Sequence, residues 1–491
     1  MVNFRLTSVW PTTEDVDMPD RQYGGAAALA APMTTPVASL DGWTAVVLAG
    51  GPGTRMRSAL PKVLHPVAGV PMVRLVCDLL RETGCRDVIV VASPTARDAV
   101  AAAAGDVRLV VQPRALGTGD AALAAREAAA GAHRVIVVHA DMPLLTGRTL
   151  LELAGRHLAS GHLMTFLTAY LDDPRGYSRV QRRNGRVQGT VQEADLSPAM
   201  RGQPEVNAGL YAADAAWLFE TLAHLEPDHR DEVTLGELIG RAVDAGGVDA
   251  YQVTEAVEVQ QVNDRVQLAS AERVLRDRIR RRLMLDGVTL LDPPSTFIDA
   301  GVEVGSDTTL FPGVHLLGST TVGVSCRIGP NSVVRDSVVS ANVEIGGSTI
   351  EGATIAEGVT IGPYCHLRPG AVLERDVHLG NYVEIKASRI GERTQVGHFS
   401  YIGDADVGTD VNYAAGSITA NYDEGTRTKH RTEIGNGASI GSDTVLVAPV
   451  RVGAGARTAS GAVVTRDVPD GALVMGVPAT VRPGVEGGHS A

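Results

Sequence analysis

The sequence predicts two architectures in series: a Rossmann-like α/β domain, then a parallel β-helix. Three observations carry this. From about Val304 to Ala479, aliphatic residues recur every six positions. Before that, short apolar runs alternate with Ala-rich helical stretches, the pattern of a parallel sheet covered on both faces. Between the two lies one long amphipathic stretch with Leu268, Ala271, Leu275, Ile279 and Leu283 on a single stripe.

The six-residue repeat decides the second half. Val304, Leu310, Leu316, Val322, Ile328 and Val334 share one register. Ile355, Ile361, Leu367, Leu373, Leu379 and Ile385 share another, and Ile434, Ile440, Leu446, Val452 and Val464 a third, with Thr458 in the remaining slot. Helices repeat near 3.6 residues and ordinary strands near 2, so neither accounts for this spacing. A hexad fits a short flat strand and a tight corner. Three hexads close a triangular coil with aliphatic side chains inward, and coils stack about 4.8 Å apart. Polar residues 420–432 break the pattern, so a loop is expected to leave the coil there.

In the first half, Thr44–Leu48 reads as a buried strand running into the Gly-rich turn Gly50-Gly51-Pro52-Gly53. Met72–Arg81 reads as a helix. Val88–Val91, Val107–Val111 and Val135–Val138 read as further buried strands. The expected division is a disordered Pro-, Thr- and Ala-rich tail over 1–41, the α/β domain over 42–262, a linker helix over 263–287, the β-helix over 288–480 and a tail over 481–491. Arg276, Arg278, Arg280, Arg281 and Arg282 cluster on the linker helix and read as a solvated face near its end.

A chain of 491 residues exceeds one ordinary core. A formal charge of −12 excludes a general nucleic-acid binder. Four cysteines without metal-ligand spacing fit reduced thiols in a cytoplasm. No apolar run is long enough to span a bilayer, and the N-terminus lacks the basic-then-apolar order of a signal peptide.

A strand entering a Gly-rich turn offers backbone N–H groups to phosphates. Here the whole segment LAGGPGTRMRSALPKVLHPVAG resembles the signature of sugar-1-phosphate nucleotidylyltransferases. QPRALGTG at Gln112–Gly119, ADMPL at Ala140–Leu144, NAGL at Asn207–Leu210 and QVNDR around Asn263 follow in the matching order. The chain is thus similar to the bifunctional family of N-acetylglucosamine-1-phosphate uridylyltransferases/glucosamine-1-phosphate acetyltransferases. That resemblance implies a left-handed β-helix. It also implies that Arg55 and Lys62 stabilise the transferring phosphates, that Gln112, Gly117 and Thr118 read uracil, and that Asp141 and Asn263 hold Mg²⁺. Leu48, Gly50, Gly51, Ser178, Gln192 and Asn207 would complete the UTP and sugar-phosphate site. Phosphoryl-type transfer depends on in-line positioning and charge neutralisation, which suits this set. The family's Tyr-Gly-Asp is here His139-Ala140-Asp141, its Gly-Tyr-Gly-Arg is Gly176-Tyr177-Ser178-Arg179, its sugar-facing Glu is Gln192, and a Lys two residues on is Ala194.

In the repeat, LRPG at Leu367–Gly370, NYVEIK at Asn381–Lys386, VGHFSYIGDA at Val396–Ala405, NYAAG at Asn412–Gly416 and NYD at Asn421–Asp423 resemble the acetyltransferase half. The resemblance makes His398 the general base, since imidazole titrates near neutrality. Arg368 and Lys386 would clamp the sugar phosphate, and Tyr401 and Asn412 would orient the sugar. Ala415, Asn421, Tyr422, Ser442 and Ser460 would meet acetyl-CoA and the reacting amine. Ser460 replaces a family Ala. Gly476 replaces an Arg expected on coenzyme A phosphate, a role for which Lys429 or Arg431 is a conjectured substitute. The implied activity is acetylation of glucosamine-1-phosphate by acetyl-CoA, then uridylyl transfer from UTP, giving UDP-N-acetylglucosamine for wall polymers. The implied assembly is a homotrimer. The alternatives are a specialised paralogue with another sugar or nucleotide preference, or an acetyltransferase with an impaired uridylyl site, and a non-catalytic regulatory or scaffolding trimer.

Overall fold

The structure, a computed structural model, describes residues 37–482. In chain order the first half contains β1 (Trp43–Ala49), the hairpin β2 (Pro66–Val67) and β3 (Val70–Pro71), α1 (Met72–Glu82), β4 (Asp87–Ala92), α2 (Arg97–Ala104), β5 (Arg108–Val111), α3 (Thr118–Ala124) and β6 (Arg134–His139). Then come α4 (Gly147–Ser160), β7 (Met164–Tyr170), β8 (Arg179–Arg183), β9 (Arg186–Val191), β10 (Glu205–Asp214), α5 (Ala215–Ala223), α6 (Glu237–Asp244) and β11 (Val248–Gln252). The sheet order is β11-β7-β10-β6-β1-β4-β5, with β10 antiparallel to its neighbours. The continuous apolar runs of β1, β4 and β6 are buried because helices cover both faces. The chain steps from β1 to β4 and β5 on one side, then returns to β6 on the other. The strand order therefore reverses at β1/β6, and ligands bind above the carboxyl ends of strands at such a point. Most of the expected 1–41 tail lies outside the described residues. Leu40, however, is fully buried, and its N–H donates to Thr83 O at 2.7 Å, so packing begins just before the expected boundary.

The second half is a parallel β-helix. Two-to-three-residue strands stack into three sheets of 12, 10 and 9 strands. The hexad aliphatics point inward as one column each: Leu310 pairs with Ile328, Leu316 with Val334, and Val322 with Val339. The phase slips in the sequence are sides one residue short, which bring Val339, Ile345, Ile350 and Ile390 into the same buried stack. The break at 420–432 is a small antiparallel hairpin, Tyr422–Asp423 with Thr428–Lys429, after which Ala405–Val407 pairs with Thr432–Ile434.

The inward positions are not all aliphatic: Thr419 and Thr458 are two exceptions, and Tyr413 is the largest. Tyr413 is fully buried, and its hydroxyl has no hydrogen-bond partner. An unsatisfied buried hydroxyl costs stability. Tyr413→Phe is expected to raise stability by about 1 kcal/mol, read as a higher urea midpoint at unchanged slope.

The linker helix α7 (Arg265–Leu285) starts at Asp264, whose side chain accepts from Gln267 N–H at 2.8 Å. The expected apolar stripe is on the covered side. The expected solvated arginine face forms only at Arg281 and Arg282, which are exposed. Arg276 and Arg280 are buried, Arg276 against Asp299 at 2.9 Å and Arg280 against Thr296 O at 2.9 Å. Arg278 donates to Leu144 O at 2.6 Å. The helix lies between the two halves, so more than one of its faces is covered, and carboxylates and carbonyls take the place of water.

Candidate active sites

The first cleft, of about 520 Å³, opens above β1 and β6. Leu48, Gly50, Gly51, Arg55, Lys62, Gln112, Gly117, Thr118, Asp141, Ser178, Gln192, Asn207 and Asn263 all line it. Distant segments thus converge as the sequence predicts. Asp141 follows β6 and is buried; its Oδ2 accepts from Lys62 Nζ at 2.5 Å. The same ammonium donates to Asn263 Oδ1 at 3.0 Å, and Arg55 Nη2 reaches that oxygen at 3.0 Å. Asp141 Oδ1 is buried with no partner.

At the far side Gln112 Nε2 donates to Asp120 Oδ2 at 2.7 Å and Gly117 O at 3.2 Å. Its Oε1 faces the Gly50 turn, where a Cβ would come to 3.0 Å. Gly117, at φ +103°, approaches Val233 O so closely that a Cβ would sit 2.3 Å away. The Thr118 hydroxyl accepts from Leu235 N–H at 3.1 Å. Gly117 and Thr118 therefore pin the 233–235 loop over the cleft.

The antiparallel register of β8 and β9 pairs Arg179 with Val191, which sets Ser178 beside Gln192. Ser178 Oγ donates to Gln192 Oε1 at 2.8 Å, and Gln192 Nε2 donates to Thr234 Oγ1 at 3.1 Å. The two departures at 178 and 192 are thus one feature, a neutral relay closed by Thr234. Asn207 is held by Tyr211 OH at 2.8 Å and Gly209 N–H at 3.1 Å. Thr234, Gly236, Tyr211, Tyr177, Gln261 and Glu232 also line the cleft; Tyr177 and Gln261 lie within the matched strings, and nothing in the spacing of the other four marks them. His139 lines it too, and burial lowers its pKa.

In the β-helix, one corner carries a column. Gly416 N–H donates to His398 O at 2.8 Å, Asp443 N–H to Ala415 O at 2.9 Å, and Gly461 N–H to Ser442 O at 2.8 Å. His398, Ala415, Ser442 and Ser460 therefore lie on successive coils of one corner. His398 is exposed, and its Nδ1 accepts from Asn381 N–H at 3.3 Å, so in the neutral ring Nδ1 is the unprotonated nitrogen.

The flat face beside this corner holds the charges. Arg368 pairs with Glu384 at 3.0 Å. Contact with the Lys429 ammonium lowers the pKa of Lys386, with Arg368 adding to the effect. Lys429 is thus brought by the hairpin to Lys386 and Arg368, not to the Ser442–Ser460 end of the column. Arg431 is taken up by Asp406 at 2.8 Å. The conjectured substitutes for the missing family Arg are therefore engaged elsewhere. Asn421 touches Asp404 and, at 3.4 Å, Tyr401 OH; Tyr422 is exposed on the hairpin. Asn412 stands apart: it lies in the sheet that precedes the His398 corner, whereas Lys386 and Tyr401 lie in the sheet that follows it.

Residues 45–230 match the family described as MobA-like NTP transferase domain, and residues 352–387 match bacterial transferase hexapeptide (six repeats). Proteins called bifunctional protein GlmU align along nearly the whole chain. That of Heliobacterium modesticaldum is 45% identical over 88% of this chain and 95% of its own. The chain belongs to the GlmU family. The Trichlorobacter lovleyi relative is 43% identical over 88% of this chain and 95% of its own, and the Streptococcus suis relative 40% over 88% and 94%. As a GlmU-family chain it is a bifunctional transferase: the α/β half is a nucleotidyltransferase and the left-handed β-helix an acetyltransferase, with nucleotide and acetyl-CoA as substrates. Among the described residues no helix is long and apolar enough to cross a membrane.

Proposed function

We propose that the two sites act in sequence on one sugar: acetyl transfer to glucosamine-1-phosphate, then uridylyl transfer to the N-acetylated product. The observation that carries this is a pair of cation-bearing sites on one chain, Arg55 and Lys62 in the first cleft and Arg368, Lys386 and Lys429 on the β-helix face. In the α/β half Arg55 and Lys62 neutralise the phosphates of UTP while the sugar phosphate attacks in line. Gln112 Oε1 faces the Gly50 turn and accepts the uracil N–H. Ser178, Gln192 and Asn207 bind the sugar hydroxyls. The oxygen pair of Asp141 and Asn263 fits Mg²⁺: both atoms already converge on one cation, the Lys62 ammonium, and Asp141 Oδ1 is buried without a partner. With only two protein oxygens, the pair would leave room for phosphate oxygens and water, which suits this ion. When bound, Mg²⁺ supplies charge stabilisation at the phosphates.

In the β-helix, His398 takes a proton at Nδ1 from the sugar amine as it attacks the thioester, the 3.3 Å bond from Asn381 N–H giving way, and the coenzyme leaves as its thiol. Arg368, Lys386 and Lys429 hold the sugar phosphate, with Tyr401 and Asn421 beside it. The coenzyme runs along the corner past Ala415, Ser442 and Ser460. Asn412, in the other sheet, serves a site completed by a second copy, which supports a trimer. Stacked aromatics at the corner point the same way: Tyr364, Tyr382 and Phe399 form a ladder with ring centroids 5.1 Å apart, largely exposed in a single chain. The fold divides as 42–262, 263–287 and 288–480, in the cytoplasm.

The test is paired on the full chain: thiol release from acetyl-CoA with glucosamine-1-phosphate, and pyrophosphate release from UTP with N-acetylglucosamine-1-phosphate. Absence of either reaction removes that half of the proposal. The neutral relay gives a finer test. Gln192→Glu keeps the Ser178 contact, because that hydroxyl donates to a carboxylate as well as to an amide, while the Thr234 hydroxyl must turn from Glu237 Oε1 to keep the second. A carboxylate accepts stronger hydrogen bonds from sugar hydroxyls. Its expected effect is a gain of roughly threefold to tenfold in kcat/KM for the sugar phosphate, with KM for UTP unchanged.

A further inference from the structure

The loop that carries Lys62 does not end in its own domain. Lys62–Leu64 is a short 3₁₀ turn, and β2 and β3 follow at once as a hairpin with its tip at Ala68-Gly69. Val67 packs with Met72, Leu144, Val262 and Ala271, beneath Asp141 and Asn263 in sequence and space. Ala68 is fully buried in the hydrophobic core of the β-helix. Its N–H donates to Glu272 Oε2 of the linker helix at 2.6 Å, and its carbonyl accepts from Ala300 N–H of the first coil at 2.9 Å. Glu272 Oε1 accepts from Arg276 Nε at 2.7 Å, and Arg276 Nη2 donates to Asp299 Oδ1 at 2.9 Å. Asp299 Oδ2 in turn accepts from Gly318 N–H of the next coil at 2.9 Å. Gly69, at φ +80°, faces this carboxylate so closely that a Cβ would lie 2.3 Å from Asp299 Oδ2.

These contacts make a closed clamp. Its ion pairs are largely buried, and its geometry is over-determined from three elements: hairpin, linker helix and first coil. The far end of the same hairpin is the turn that holds Lys62 against Asp141 and Asn263. We propose that Asp299, a residue of the β-helix, is a positioning residue for nucleotidyl transfer: it fixes the hairpin tip and thereby the height of Lys62 in the cleft. The inference rests on the reading of Lys62 as a phosphate ligand. The acetyltransferase scaffold then serves the first site as an anvil, and the uridylyl reaction depends on the folded end of the other domain.

Two single variants and their combination test this on the full chain. Asp299→Ala removes the clamp; Gly69→Ala pushes a methyl into the carboxylate. Each is expected to lower kcat for pyrophosphate release about tenfold, with KM for UTP within about twofold of wild type, as loss of alignment predicts. Thiol release from acetyl-CoA serves as the internal control and stays at the wild-type rate. Trimming Asp299 relieves the clash at Gly69, so the double variant is expected to lose less than the product of the single losses. Unchanged kcat in both single variants, or losses that multiply, would overturn the proposal. Wild-type protein that releases no pyrophosphate would instead sink the reading of the site itself. If Asp299→Ala also loses acetyl transfer, Gly69→Ala alone decides, since the three atoms nearest its new methyl all belong to Asp299.

Discussion

Replacing Asp141 with Asn is expected to reduce pyrophosphate release roughly a hundredfold to a thousandfold while thiol release continues unchanged. The residue is buried, its Oδ2 lies 2.5 Å from Lys62 Nζ, and its Oδ1 has no partner. The isosteric amide keeps the shape of the site and removes the negative charge. It also turns one oxygen into an N–H₂ donor facing the Lys62 ammonium or a bound cation. Both consequences act where phosphate charge is held in the transition state. The same logic covers metal removal. Chelation by EDTA is expected to stop pyrophosphate release and spare thiol release, and Mg²⁺ to restore it. An Asp141→Asn variant that keeps wild-type turnover at ordinary Mg²⁺ would remove Asp141 from the mechanism.

The second large effect lies in the other half. His398→Ala is expected to lower thiol release roughly a hundredfold to ten-thousandfold, the range for loss of a general base. Pyrophosphate release stays at the wild-type rate. His398 is a corner residue whose side chain supports no core contact, so the fold does not depend on it. The imidazole stands at one end of the Ala415–Ser442–Ser460 column, at the corner that leads into the sheet face carrying Lys386. An amine held there by its phosphate comes within reach of the ring, and no other imidazole belongs to this column. Because solvent base can take the proton of the attacking amine in place of the imidazole, a higher pH is expected to recover part of the lost rate. A uniform loss at all pH values would assign His398 to binding instead.

Much of this was legible in the residues alone. The hexads of the second half and the apolar runs of the first specify two architectures, since each period matches only one way of burying side chains. The ordered strings around Lys62, Gln112, Asp141, Asn207 and Asn263 identify the first cleft, and those around His398 and Lys386 the second. Other features were not legible because no local pattern encodes them. Arg276 and Arg280 look like any exposed run on an amphipathic helix; only the approach of a second domain turns that face inward. Ser178 and Gln192 look like two losses from a pocket, and only the β8–β9 register shows that they bond to each other. Thr234 and Gly236 enter the cleft from the start of α6, with no signature of their own.

The sequence by itself determined the order of the domains, the class of each fold and the chemical groups at both sites. Those depend on periodicity and side-chain type, which are properties of the chain read along its length. The tertiary structure decided which of those groups touch. It set Lys62 between Asp141 and Asn263, brought Lys429 to Lys386, and locked the Ala68-Gly69 tip onto Asp299. Contacts of this kind join residues up to about two hundred positions apart. Their existence depends on how packed surfaces meet, and packing is cooperative over the whole core rather than written into any one segment.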